Sequence, residues 1–475
     1  MAPTRILTWW GNTMSLVAGL MLLAAVLALP TADISSTLGL VIAATITALL
    51  GGITALAVKD VPARDGPKDA LAFLVIFWAT LPFAGALPFI LLGGTSSPLI
   101  AWFEAVSAFT TTGASTLVPE TLPRALLLWR SLLQFFGGVS VATLAVVVLA
   151  SLNLTGTGIH RSALFTIEKG QLFVQLLRIG LVVTMLYTTI ALIGFVMMVV
   201  GGAPLFDALN LALTGVSTGG LTTRSVPLAE YMPLGSSAVL AVICVLGAAS
   251  VAAHWDIFRI RSFRELRSFV RNVEHRALIG LLVGVGLLGF SYTGFRHFTT
   301  VALEAAYLVS STGYDYNVIG LELLPPAILI AVALIGGSAL STAGGLKLIR
   351  MLLLFRHLRV DVERLSHPSR VKPVRFRGRT IPDSSFLSIW MYFIGFTLMF
   401  GLGTLCLGAA GLTYEVAVPA AAASLSNVGP LLEANMTATG WADFSDLQLA
   451  ISGALMLVGR VEVLAILAFL FSTSR

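Results

Sequence analysis

"FTTTGAST", Phe109–Thr116, lies between two long apolar runs, Leu71–Leu92 and Ala125–Leu152. Threonines in series followed by a glycine make neither a strong helix nor a good lipid-facing surface. Three further stretches share this character: "ALTGVSTGGLTT" (Ala212–Thr223), "YLVSSTGYDYN" (Tyr307–Asn317) and "ASLSNVGPL" (Ala423–Leu431). Each sets hydroxyl or amide residues ahead of a glycine. Those glycines, Gly113, Gly219, Gly313 and Gly429, are spaced by 106, 94 and 116 residues. The pattern predicts four repeats of one unit, with a period of about 105 residues.

The rest of the chain says what surrounds these stretches. Of its 475 residues, 57% are hydrophobic and 11% charged, where a soluble domain carries roughly 25% charged residues. With a mean hydropathy of +0.93, the chain belongs to the membrane class. A spanning helix needs about 20 mostly apolar residues, and Ile179–Val200, Ala238–Ala253, Ala327–Leu354 and Phe386–Gly411 join the two runs above as candidates. Each polar stretch follows a short segment near half a span, such as Trp102–Phe109 or Glu304–Val309. The unit therefore reads helix, short helix, polar loop, helix.

The expected fold is an all-α polytopic membrane protein with ten transmembrane helices. Four pseudo-fourfold units surround a central pore, preceded by a two-helix hairpin. Its divisions are 1–66 for the hairpin and 67–160, 161–262, 263–365 and 366–475 for the units, the third with an interrupted second helix. The N-terminal run resembles a signal peptide, but Leu38–Val58 follows it at once, and Trp9 and Trp10 suit an interface; a retained hairpin is expected.

The net charge of +6 is placed asymmetrically. Lys59–Lys68, Arg161–Arg178, Arg259–Arg276 and Lys347–Arg379 are alternate connections, and with Arg5 and Arg475 they hold 24 of the 29 basic residues. That bias puts the basic loops and both termini in the cytoplasm of a multi-pass protein of the plasma membrane. Topology and anionic lipid account for the charge, so no nucleic-acid partner is expected.

Non-helical backbone at membrane depth survives only when buried in protein or facing water. Four such loops share one solution: they meet on a common axis and turn their carbonyls inward, where a ring of oxygens replaces the hydration shell of a cation. The short helices end at the loops and point their negative dipole ends at the ion path. Oxygen ligands without a cage of carboxylates suit a monovalent alkali ion better than Ca²⁺ or Mg²⁺. The acids Glu104, Asp207 and Glu304, near the starts of three short helices, are expected to serve mainly as helix-dipole partners.

"FEAVSAFTTTGAS", "VSTGGLTT", "SSTGYD" and "LSNVGP" resemble the four filter loops of the Trk/Ktr/HKT superfamily of potassium transporters, nearest to the bacterial Trk-type membrane subunit. The resemblance runs from about Leu71 to the C-terminus. "IGGSALSTAGGLKLIR" (Ile335–Arg350), "LVGRVEVL" (Leu457–Leu464) and "RLSHPSRVKPVRF" (Arg364–Phe376) strengthen it. It implies potassium uptake across the bacterial inner membrane, with K⁺ bound at Gly113, Gly219, Gly313 and Gly429; the residues ahead of them, Thr111 and Thr112, Ser217 and Thr218, Ser311 and Thr312, and Asn427 and Val428, are expected to complete the ion site with their oxygens. A glycine at position 113 implies potassium, since a serine there accompanies sodium permeation in some plant relatives. The fourth loop departs most from the family pattern. A homodimer and a cytoplasmic nucleotide-binding regulatory subunit are implied in the same way.

The run Ala327–Leu354 is broken by "GGSALSTAGG", Gly336–Gly345. One reading is a kink re-satisfied by its hydroxyls. The resemblance implies another, an intramembrane gate below the filter built from Gly336, Gly337, Ser341, Thr342, Gly344 and Gly345, with Lys347 holding its cytoplasmic end. Arg460 lies in a further apolar run, where facing lipid would cost several kcal/mol. It is expected either to face the pore as a barrier to cations or to tie packed helices together.

Other signals carry little. "GVGLLG", Gly284–Gly289, fits a dinucleotide fingerprint by letter but sits inside an apolar run. Cys244 and Cys406 predict neither disulfide nor metal site, and the six histidines are scattered. No P-loop and no intramembrane pair of acids is present, so the chain is not expected to be an enzyme. It needs no tightly bound cofactor, and K⁺ enters only as the transported ion. Competing with potassium conduction is an ion-coupled secondary transporter of another small cation or solute, which calls for inverted repeats.

Overall fold

The computed structural model describes residues 3–29, 34–58, 67–151, 172–257, 273–317, 324–367, 374–376, 379–381, 383–435 and 439–461. Outside them lie Glu462, Arg475 and much of the basic connections, namely 59–66, 152–171, 258–272 and 368–373. The described residues are overwhelmingly helical. A hairpin of α1 (Pro3–Ala28) and α2 (Ile34–Ala57) comes first. Its helices touch at glycines: a Cβ on Gly11 would sit 2.5 Å from the Gly51 carbonyl, and one on Gly51 2.6 Å from the Gly11 carbonyl. The indole of Trp10 donates to Thr80 Oγ1 (2.7 Å), tying the hairpin to the next helix.

Four groups of helices follow, each with a short helix after its first long one. The first has α3 (Pro67–Leu91), the short α4 (Pro98–Phe109) and α5 (Arg124–Ser151). The second has α6 (Leu172–Val200), α7 (Leu205–Val216), α8 (Leu234–Ala248) and α9 (Val251–Ile257). In the third are α10 (Val273–Thr293), α11 (Phe298–Val309), α12 (Pro326–Ile335) and α13 (Leu348–Ser366). The fourth has α14 (Asp383–Ala409), α15 (Tyr414–Ser426) and α16 (Asp446–Val461). Among the described residues, seven helices are long and apolar enough to cross a membrane: α1, α2, α3, α5, α6, α10 and α14. In α5, 89% of the most apolar stretch is buried, against 28% in α2, α10 and α14. Thus α5 is an inner helix, while the outer ones present leucines such as Leu181 and Leu398 to the surroundings.

In the helix boundaries, sequence and structure part in two places. Ala238–Ala253 reads as one apolar run, but the helix breaks at Ala249 and Ser250. The carbonyls freed there are satisfied from the third unit: Ser338 N–H donates to Ala248 O (3.0 Å) and the Thr342 hydroxyl to Gly247 O (3.0 Å). Such partners lie far along the chain, so no local pattern reports the break. Secondly, much of the basic connection Lys347–Arg379 is helical, forming α13, with a two-residue antiparallel ribbon after it pairing Arg375 with Thr380.

Candidate functional site

The short helices α4, α7, α11 and α15 end in loops of one backbone form. Thr111, Thr218, Ser311 and Asn427 all adopt left-handed φ, at 52°, 53°, 63° and 54°. Non-glycine residues in this region cost of order 1 kcal/mol or more and persist where the surroundings over-determine them. The next residue of each loop donates its N–H five residues back: Thr112 to Ser107 O (2.8 Å), Gly219 to Thr214 O (2.8 Å), Thr312 to Tyr307 O (3.0 Å) and Val428 to Ala423 O (2.9 Å).

That pattern fixes the register and corrects one assignment. In register with Gly113, Gly313 and Gly429 stands Gly220, not Gly219. Gly219 matches Thr112, Thr312 and Val428, and Ser217 matches Thr110, Ser310 and Ser426. Gly220 has φ +78°, beside +80° for Gly113 and +71° for Gly313. The double glycine hid this. A hydroxyl three residues before the glycine (Thr110, Ser217, Ser310, Ser426) is the signal that recovers it.

The loops close on each other. A Cβ on Gly113 would overlap Gly219 O of the second loop. One on Gly220 would overlap Thr312 O of the third, and one on Gly313 would lie 3.2 Å from Val428 of the fourth. On Gly429 it would overlap the backbone of Gly113 and Ala114, completing the circuit. Here the fourth loop departs: Gly429 has no positive φ and opens a 3-10 turn containing Pro430. It is glycine because the first loop leaves no space, while the Trp441 indole donates to its carbonyl (3.1 Å).

The three acids do more than complement helix ends. Glu104 and Glu304 each sit seven residues into a twelve-residue helix, too far in for the first turn. Glu104 accepts from Thr116 N–H (2.6 Å) and the Ser115 hydroxyl (3.0 Å), and Glu304 from Asn317 N–H (3.2 Å). Asp207 is in its first turn, but it also accepts from the Thr223 hydroxyl (2.7 Å) and pairs with Arg224 (2.8 Å). All three hold the chain that leaves their loop. Arg130 joins two loops, donating to Ser115 Oγ (3.3 Å) and Thr222 O (3.0 Å).

On this side of the ring lies a cavity of about 340 Å³, reached by all four loops and lined among others by Glu304, Asp315, Glu433, Arg130 and Arg224. Burial raises the Asp315 carboxyl above its ordinary range. Burial, and then the charge of Asp315, raise Glu433.

On the other side sits the segment between α12 and α13, residues 336–347. Ser338, Ala339, Leu340, Ser341, Thr342 and Ala343 are buried. Thr342 accepts from Thr218 Oγ1 (3.1 Å) of the second loop, and Gly344 N–H donates to Ser311 Oγ (3.0 Å) of the third. The Arg460 guanidinium is buried between this segment and the first loop. It donates to Thr342 O (2.6 Å) and hydrogen-bonds Thr110 O and Thr111 Oγ1. Lys347 folds back on the segment, donating to Ser341 O (3.2 Å) and Ala343 O.

Half-span helices that deliver four loops to one ring inside a helical membrane bundle define a pore-loop transport protein. Residues 39–473 match the TrkH family of cation transport proteins, and the chain belongs to that family, one of transporters rather than enzymes. It is similar to the Trk system potassium uptake protein TrkH of Salmonella typhimurium, with 28% identity over 86% of each chain. Similarity to the TrkH of Vibrio parahaemolyticus is 29% over 86% of each. A crystal structure of the potassium transporter TrkH from Vibrio parahaemolyticus superimposes with a TM-score of 0.86 at 26% identity, covering 100% of this chain and 99% of that one.

Proposed function

We propose that this chain takes up potassium across the plasma membrane through the ring of four loops. The observation that carries the reading is the closure of that ring by four loops, each with a left-handed non-glycine residue at the same place. Relatives named for potassium uptake match most of its length. In this reading K⁺ sheds water against oxygens of Thr111, Thr112 and Gly113, of Thr218, Gly219 and Gly220, of Ser311, Thr312 and Gly313, and of Asn427, Val428 and Gly429, with Ser217 one step below. The cavity lined by Asp315 and Glu433 is the outer vestibule, where negative charge concentrates cations. The basic connections then face the cytoplasm and offer a docking surface to a nucleotide-binding regulatory subunit, and a second copy of the chain packs beside the first.

Residues 336–347 act as the gate, and Arg460 is the charge a cation meets below the ring. At about 6 Å and an effective dielectric near 20, two unit charges repel by about 3 kcal/mol, enough to slow an ion without stopping it. The test is growth of a potassium-uptake-deficient cell at low K⁺, with flux measured in liposomes under defined K⁺, Na⁺ and H⁺ gradients. Rescue, and weakened selection of K⁺ over Na⁺ in Gly113→Ser, are expected. No rescue by correctly inserted protein overturns the proposal.

A further inference from the structure

The four loops share a backbone but not a set of braces. In the first, the Thr110 and Thr112 hydroxyls pair at 2.7 Å; in the third, Ser310 and Thr312 do the same at 2.7 Å. The second loop has Gly219 at that position and cannot form the pair. Instead Gln134, on α5 of the first unit, reaches in: its Nε2 donates to Gly219 O at 2.6 Å. The side chain is fully buried, and its Oε1 has no hydrogen-bond partner among the described residues. A Cβ on Gly219 would collide with this amide and with nothing nearer. Gly219 lacks a positive φ, so its backbone admits a side chain; the Gln134 amide is what excludes one.

We infer that Gln134 is a positioning residue for cation selection, its amide standing in for the hydroxyl brace that the first and third loops carry themselves. Where selection rests on the size of the ring, its oxygens distinguish K⁺ from a smaller ion while its members resist closing in. The first and third loops resist through side chains of their own. Resistance in the second comes from a neighbouring unit: Gln134 fixes the Gly219 carbonyl, and Arg130, one helical turn earlier on α5, fixes Thr222 O at 3.0 Å. Freed of Gln134, the second loop can move inward, and the ring then admits Na⁺ more readily.

This inference rests on the ring being the selecting element, and the experiment separates the two. K⁺, Rb⁺ and Na⁺ fluxes are measured in liposomes holding the full chain, for the natural sequence, Gln134→Met, Gln134→Ala, Gly219→Thr, Gln134→Ala with Gly219→Thr, and Gly113→Ser. Gln134→Met keeps the volume and removes the donor, so the K⁺-to-Na⁺ flux ratio should fall at least threefold. Gly219→Thr alone should lose most flux, because it meets the amide. Combining it with Gln134→Ala makes room for the hydroxyl and should bring the ratio back to within twofold of the natural chain. A merely structural glutamine would lower the amount of inserted protein and leave the ratio alone. An unchanged ratio in Gln134→Met, loss of that variant from the membrane, or no recovery in the double variant overturns the inference. If Gly113→Ser shifts the ratio and Gln134→Met does not, the selecting ring stands and only the role of Gln134 fails. If neither shifts it, the ring itself is not the selecting element.

Discussion

The ring of loops and the segment beneath it are made of the same residue types, glycine, serine and threonine, yet they are held in opposite ways. The turn of each ring loop is closed onto its own helix, as where Thr112 N–H donates to Ser107 O (2.8 Å), and Thr116 N–H then donates to Glu104 of that helix (2.6 Å). Residues 336–347 borrow their partners, Ala248 O in the second unit, Ser311 Oγ in the third and Arg460 in the fourth. A loop anchored locally and strained at one residue keeps its shape. A segment anchored to two helices and a ring loop can be released as a body when those helices shift. The selection proposed for the ring needs the first property, and the gating proposed for residues 336–347 needs the second.

The comparison can be broken most sharply at the ring. Gly220→Ala places a Cβ at φ +78° against Thr312 O. Strain of about 1–3 kcal/mol should cut K⁺ uptake by about tenfold or more. The single-site replacement Gly219→Ala meets only a side chain, so its uptake should exceed that of Gly220→Ala. The reverse order, in flux per inserted protein, would refute the register.

Arg460→Gln comes next in size. It removes the charge and leaves a neutral amide donor at that position. Flux should rise about tenfold, within the ~100-fold that a 3 kcal/mol barrier allows. Unchanged flux would make Arg460 a tie and nothing more.

Thr342→Val removes the hydroxyl that accepts from Thr218 (3.1 Å) and donates to Gly247 O (3.0 Å). At about 1 kcal/mol for a hydrogen bond, the open fraction should rise about fivefold. Single-channel or flux recordings that show no rise would mean the segment is a fixed kink.

The smallest effect concerns pH. Asp315 and Glu433 have raised pKa values, so their neutral forms are favoured and their charge is lost as pH falls through those raised values. Uptake at low external K⁺ should therefore decline on acidification sooner than ordinary carboxylates, near 4, would dictate. Glu433→Gln should flatten that decline, with a change of about twofold in apparent affinity at neutral pH. An unaltered pH profile would remove the vestibule charge from the account.

Much of this was legible in the chain itself. Hydropathy, the half-span segments and the four hydroxyl–glycine stretches are local properties, read within windows of ten to twenty-five residues, and they place the loops and the interrupted third unit. Glu104 and Glu304 misled because a carboxylate's partner cannot be read from its position: both bond chain beyond their own helix, twelve and thirteen residues on. Gln134 carried no signal at all, since a single glutamine in an apolar helix is uninformative until Gly219 is placed against it.

By itself, then, the sequence determined a membrane-embedded helical chain with four re-entrant loops and their approximate places, because burial in lipid imposes long apolar runs and makes every exception conspicuous. Tertiary structure alone decided where the second unit's helix breaks and which loops Arg460 and Gln134 hold. Those outcomes depend on hydrogen bonds between residues 85 to 350 positions apart, and a bond of that reach leaves no periodicity along the chain.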